Sequence, residues 1–81
     1  VHTTLIYPNP ADTQLILEIP SQINSLINYT IIDCHGKNLL SGKVLSGDEQ
    51  ITLSVGDLIP GTYQVVLNSK DKKWISRFVK I

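Results

Sequence analysis

Apolar residues in this chain recur at every second position, and that spacing restricts the fold before any motif is considered. Glu49 to Val55 alternates without exception, with Ile51, Leu53 and Val55 on one side and Gln50, Thr52 and Ser54 on the other. Thr13 to Ile19 sets Leu15, Leu17 and Ile19 on one face, and Gln14, Ile16 and Glu18 on the opposite one. Thr62 to Asn68 repeats the pattern with Tyr63, Val65 and Leu67 inward. Successive side chains of a strand point to opposite faces, so period-two alternation marks strands with one buried face. No window of ten or more residues carries the i, i+3, i+4, i+7 spacing of an amphipathic helix.

Turn residues divide the rest of the chain into pieces of similar length. Residues 3–7 are β-formers that run into Pro8-Asn9-Pro10. Neither proline can donate to a ladder, so a short first strand ends there in a rigid turn. Pro20 stops the second strand, and Ser21 to Asn24 reads as a turn. Residues 26–34 form a third strand, with Tyr29 and Ile31 on one face and Thr30, Ile32 and Cys34 on the other. Asp33-x-x-Gly36 then supplies an Asx-type turn in which Gly36 is free to take a positive φ. Residues 38–45 resume as a strand, where Gly42 suggests a bulge or bend, and Ser46-Gly47-Asp48 is the next turn. Pro60-Gly61 suits a type II turn before the sixth strand. The last strand, 72–81, is apolar on both parities: Trp74 and Phe78 on one, Ile75, Val79 and Ile81 on the other. It should therefore be flanked or covered. About seven short strands separated by turns predict an all-β, Ig-like antiparallel β-sandwich.

With 81 residues the chain is a single domain, 1–81. A domain of this size buries only about 60% of its unfolded surface, so its core is small. Cys34 is the single cysteine. It forms no internal disulfide and no thiol-based zinc site, which leaves packing and strand pairing to hold the fold. The longest apolar runs fall far short of the roughly 20 residues of a transmembrane helix. The chain starts at Val1 rather than Met, which suggests a piece excised from a longer secreted protein.

Net charge is zero but unevenly placed. Residues 1–69 hold Lys37 and Lys43 against six acidic residues. Residues 70–81 hold Lys70, Lys72, Lys73, Arg77 and Lys80 against Asp71 alone. Such asymmetry can mark an interaction end. The plainer reading is a basic strand paired with acidic neighbours and guarded by Lys at an edge.

Catalytic chemistry finds little support. Asp33, Cys34 and His35 are adjacent, but neighbours on a strand point to opposite faces, so Cys34 and His35 do not meet unless the turn folds them together. His2 and His35 are the only histidines, too few for a specific metal site. No phosphate loop is present, and no small-molecule substrate or cofactor is implied. Lys72, Lys73, Arg77 and Lys80 make a poor nucleic-acid patch in a neutral chain with few aromatics. The aromatics Tyr7, Tyr29, Tyr63, Trp74 and Phe78 read as core and rim, with an exposed Trp74 as the competing reading, a contact for a sugar or a protein.

Four stretches in order carry a resemblance. They are Tyr7-Pro8-Asn9-Pro10; Tyr29-Thr30-Ile31-Ile32-Asp33-x-x-Gly36; Leu58-Ile59-Pro60-Gly61-Thr62-Tyr63-x-Val65; and the basic and apolar ending Lys73 to Lys80. Together they resemble the type A C-terminal sorting domain of the type IX secretion system of Bacteroidetes-type bacteria. Trp74-Ile75-Ser76 is bulkier than that family's approach to its final strand. The resemblance implies a seven-stranded Ig-like sandwich without catalytic activity. It implies an address for an N-terminal cargo in the same chain, recognised by the outer-membrane translocon, removed by a surface sortase, and delivered to the cell surface or beyond. On this reading Gly61 and Tyr63 are structural, and Lys72, Lys73, Arg77 and Lys80 make the contacts. The alternative is an Ig-like carbohydrate- or protein-binding module of a secreted enzyme, for which an exposed row of aromatics would be the sign. Pairing of two copies through an edge strand is left open.

Overall fold

A computed structural model describes residues 5–19, 26–44, 49–70 and 72–81. Seven strands follow one another: β1 (Ile6–Tyr7), β2 (Gln14–Glu18), β3 (Ile27–Ile32), β4 (Asn38–Val44), β5 (Gln50–Ser54), β6 (Gly61–Asn68) and β7 (Lys73–Lys80). They form two antiparallel sheets, β1-β2-β5 and β4-β3-β6-β7. The expected all-β sandwich is therefore present. The expected turns at Ser21–Asn24 and Ser46–Asp48 lie outside the described residues, as do the start of the first strand and Asp71.

The alternating faces meet in the middle. Leu15, Leu17 and Leu53 of the smaller sheet, with Val55 just after β5, pack with Ile27, Ile31, Val65, Leu67, Trp74 and Phe78 of the larger. Each such side chain contributes about 1.5–3 kcal/mol by leaving water. With so few core positions, each one matters. Phe78 is fully buried and stacks on Tyr63 with ring centroids 5.5 Å apart. Trp74 is also buried, on the parity of Phe78, so β7 has one core face despite its two-sided apolar pattern.

Two glycines correct the sequence reading. β4 runs without interruption through Gly42, which pairs with Tyr29. A Cβ at Gly42 would lie 2.5 Å from the Tyr29 hydroxyl oxygen and 2.6 Å from the adjoining ring carbon, so the glycine makes room for the ring rather than bending the strand. The irregularity falls instead at Leu39, skipped where Ile31 pairs with Leu40 and Ile32 with Asn38. Gly61 has no positive φ and is the first residue of β6, so Pro60-Gly61 is not a type II turn. Gly36 does take φ +83°, and Asp33 Oδ1 accepts from the His35 and Lys37 N–H groups at 2.9 Å each, which is the expected Asx turn.

After Tyr7 the chain leaves the smaller sheet, passes Pro8-Asn9-Pro10, and joins the larger one. Ala11, fully buried, forms a parallel bridge with Lys80. The Ala11 N–H donates to Val79 O at 2.7 Å, and the Ile81 N–H donates to Ala11 O at 2.9 Å. The first and last segments are thereby laced together.

Candidate functional site

The site is built on the β6–β7 hairpin, the longest paired unit of the fold, with register from Gly61↔Lys80 to Asn68↔Lys73. The corner before it is held by a side chain. The Tyr63 hydroxyl donates to the Ile59 backbone oxygen, so the tyrosine ties the start of β6 to the loop that feeds it. This is the tyrosine-corner arrangement of Ig-like sandwiches. A Cβ on Gly61 would have only Ile59 O at 4.0 Å for company, so neither space nor φ demands glycine there.

Strand parity divides the basic residues of β7. Trp74, Ser76, Phe78 and Lys80 face the core. Lys73, Ile75, Arg77 and Val79 face outward, opposite Asn68, Val66, Gln64 and Thr62. Lys72, Lys73 and Arg77 are exposed, whereas Lys80 is only 5% exposed. Its Nζ donates to Ile81 O at 2.6 Å and lies 4.0 Å from Asp12 Oδ1. The four cations expected to act together thus occupy two environments. Lys80's parity with Trp74 and Phe78 was the signal in the sequence. Of the plainer expectation, pairing with an acidic neighbour is seen among the described residues for Lys80 alone, with Asp12. Among the described residues Lys70, Lys72, Lys73 and Arg77 form no ion pair.

The motif around Asn9 holds the same strand from outside. Asn9 Oδ1 accepts from the Val79 N–H at 2.9 Å, and Asn9 Nδ2 donates to Arg77 O at 3.4 Å. Pro8 and Pro10 have no N–H to offer a ladder. The Asn9 amide, with one donor and one acceptor in peptide-like geometry, takes the place of a backbone unit. Sequence reasoning found the turn but not this cap, because the partner lies 70 residues away. Tyr7 anchors the other side: its hydroxyl donates to Glu18 Oε2 at 3.1 Å and lies 3.3 Å from Gln50 Oε1. Hydrogen bonding to Glu18, then desolvation, then the Glu18 charge raise the Tyr7 hydroxyl above its ordinary pKa.

Beside Arg77 lies an open depression of about 420 Å³ lined by Asp33, Cys34, Thr62 and Gln64 among others. The Asp33 carboxyl is held below the usual aspartate range, chiefly by the Lys37 N–H, against an opposing desolvation effect and with help from the His35 N–H. It is engaged by the backbone N–H groups of its own turn, and the Cys34 and His35 residues are exposed. No group of three or more potential metal ligands converges among the described residues. The aromatics form no exposed row there: Tyr63, Trp74 and Phe78 are buried, Tyr29 is half-buried, and Tyr7 stands alone at the rim. Among the described residues no helix is long and apolar enough to cross a membrane.

In comparison with known families, the family model described as secretion system C-terminal sorting domain matches residues 5–81. No curated protein matches the chain significantly.

Proposed function

Since this chain belongs to the secretion system C-terminal sorting domain family, a non-catalytic family whose members direct type IX export across the outer membrane, we propose that it is recognised as a folded address through its terminal hairpin. The cargo lies N-terminal in the same chain. The outer-membrane translocon reads the domain, and a surface sortase then removes it. Lys72, Lys73 and Arg77 make the contacts. Tyr63 and Lys80 hold the hairpin in shape, Gly61 has no such demand on it, and Tyr7 to Pro10 fasten the last strand.

The observation that carries this reading is that the motif stretches around Asn9 and Tyr63 both meet the last one, on one strand. Asn9 and Ala11 bond to β7, Tyr63 stacks on Phe78, and the unpaired cations stand on the same strand or at its start.

The test is a reporter fused to the domain in a host that carries the system. Deleting Trp74–Ile81 is expected to abolish surface delivery. Because that deletion also removes core residues, the triple change of Lys72, Lys73 and Arg77 to Ser is measured beside it. Delivery by the triple variant should fall at unchanged thermal stability. Undiminished delivery by both variants would overturn the reading.

A further inference from the structure

Half of β7's outer edge is capped, and the other half, without a partner among the described residues, has a defined chemistry. The groups bonded by Asn9, Ala11 and their neighbours are Arg77 O, Val79 N and O, and Ile81 N. In an antiparallel strand alternate residues send both backbone groups to the same side. The odd-numbered residues of β7 therefore turn theirs away from β6. Preceding the cap, the Lys73 and Ile75 N–H and C=O groups and the Arg77 N–H have no partner strand among the described residues. The side chains over this window are Lys73 and Arg77, exposed and without an ion pair among the described residues, on either side of half-buried Ile75. Ile75 lies against Val66, which is only 9% exposed on the outer face.

The geometry points to β-strand addition at Lys73–Arg77 by an extended partner segment in which an apolar residue is flanked, two positions to each side, by acidic residues. An added strand would take up the five open backbone groups. On its outward face the spacing of two residues per repeat sets its acids beside Lys73 and Arg77 and its apolar residue beside Ile75. The pattern reads the same in both directions, so strand polarity does not alter it. A second copy of this chain is the poorer occupant. Two-fold antiparallel pairing centred on Ile75 would set Lys73 opposite Arg77, and like charges directly opposite are destabilising. The far edge of the same sheet, β4, carries one cation, Lys43, and offers no such pattern.

This inference gives the recognition chemistry of the proposed address and rests on that reading for its biological role. The probe is the peptide Thr-Glu-Thr-Val-Thr-Glu-Thr, with a twin that carries Lys for both Glu residues, titrated into the chain by NMR. The Glu peptide should bind about tenfold more tightly than its twin, from two exposed charge pairs. It should also slow hydrogen exchange at the Ile75 and Arg77 amides. The double variant Lys73→Glu, Arg77→Glu alters exposed side chains only and should invert the preference. An uninverted preference, binding that leaves both amides unprotected, or dimerisation through Ile75 without peptide would each overturn the inference. In cells, the double variant should cut reporter delivery severalfold. Undiminished delivery there, with the Trp74–Ile81 deletion still inactive, overturns the edge inference alone. Undiminished delivery in both overturns the sorting reading as well.

Discussion

The two ends of β7 are built from similar residues and treated differently by the fold. Toward its end, Lys80 is buried, and the edge from Arg77 to Ile81 is closed by Asn9 and Ala11. Toward its start, Lys73 stands in solvent and the edge is open. The difference arises from parity and from a distant segment, not from composition. A count of positive charge along the last twelve residues would merge two populations: one cation that belongs to the structure, and several that are free to meet something else. Exposed edges invite pairing, and proteins usually guard them with charge or cover. Here cover serves one half and charge the other.

The largest effect is expected where both halves depend on one side chain. Phe78 is fully buried and stacked on Tyr63. Phe78→Ala should cost about 3–5 kcal/mol, most of the stability of a domain this small. Chemical denaturation would record it as a collapse of the unfolding midpoint. If the loss were below about 1 kcal/mol, the hairpin would not be part of the core, and the contrast between its two halves would be only a surface matter.

The cap is the next test. Asn9→Ala removes both amide hydrogen bonds to β7. Each such bond is worth about 0.5–1.5 kcal/mol net, and Asn9 is exposed, so the total should be about 1–2 kcal/mol. The sharper readout is local. Exchange at the Val79 amide should speed up toward that of Ile75 in the open half, making the two halves alike. A Val79 amide that keeps its protection would mean that Ala11 alone closes the edge.

The strands, their inward faces and the Asx turn were legible in the sequence because each rests on neighbours within a few residues. Leu15, Leu17, Leu53, Val55, Val65 and Leu67 are buried as their alternation requires. What was not legible depends on partners across the fold. Gly42 looked like a bulge because nothing near it in sequence reveals the Tyr29 ring above it. Gly61 looked like a turn glycine, yet the Tyr63 hydroxyl on Ile59 organises that corner. Asn9 as a cap could be suspected only from an amide set between two residues that lack an N–H. The site was half legible. Its strand and cations could be read in order, but their division into buried and free could not be weighed, since a lysine at a core-facing position contradicts its usual preference for water.

Lys80 gives the smallest and most discriminating prediction, because it separates the two ways a lysine can belong to a core. Its ion pair is 4.0 Å long, with an Asp12 that is 75% exposed, so solvent screens most of the attraction. Its aliphatic stem lies on the face shared with Trp74 and Phe78, where packing counts for more than charge. Lys80→Ala should therefore cost about 1 kcal/mol from lost apolar contact. Lys80→Met keeps the stem and should cost less than half of that. Lys73→Ala and Arg77→Ala, on the exposed face, should each stay within about 0.5 kcal/mol. Thermal unfolding of the four variants orders them. If Lys80→Met were as damaging as Lys80→Ala, the ammonium and its bond to Ile81 O would be what secures the closed half. The contrast along β7 would then be one of paired against unpaired charge rather than of buried against exposed stem.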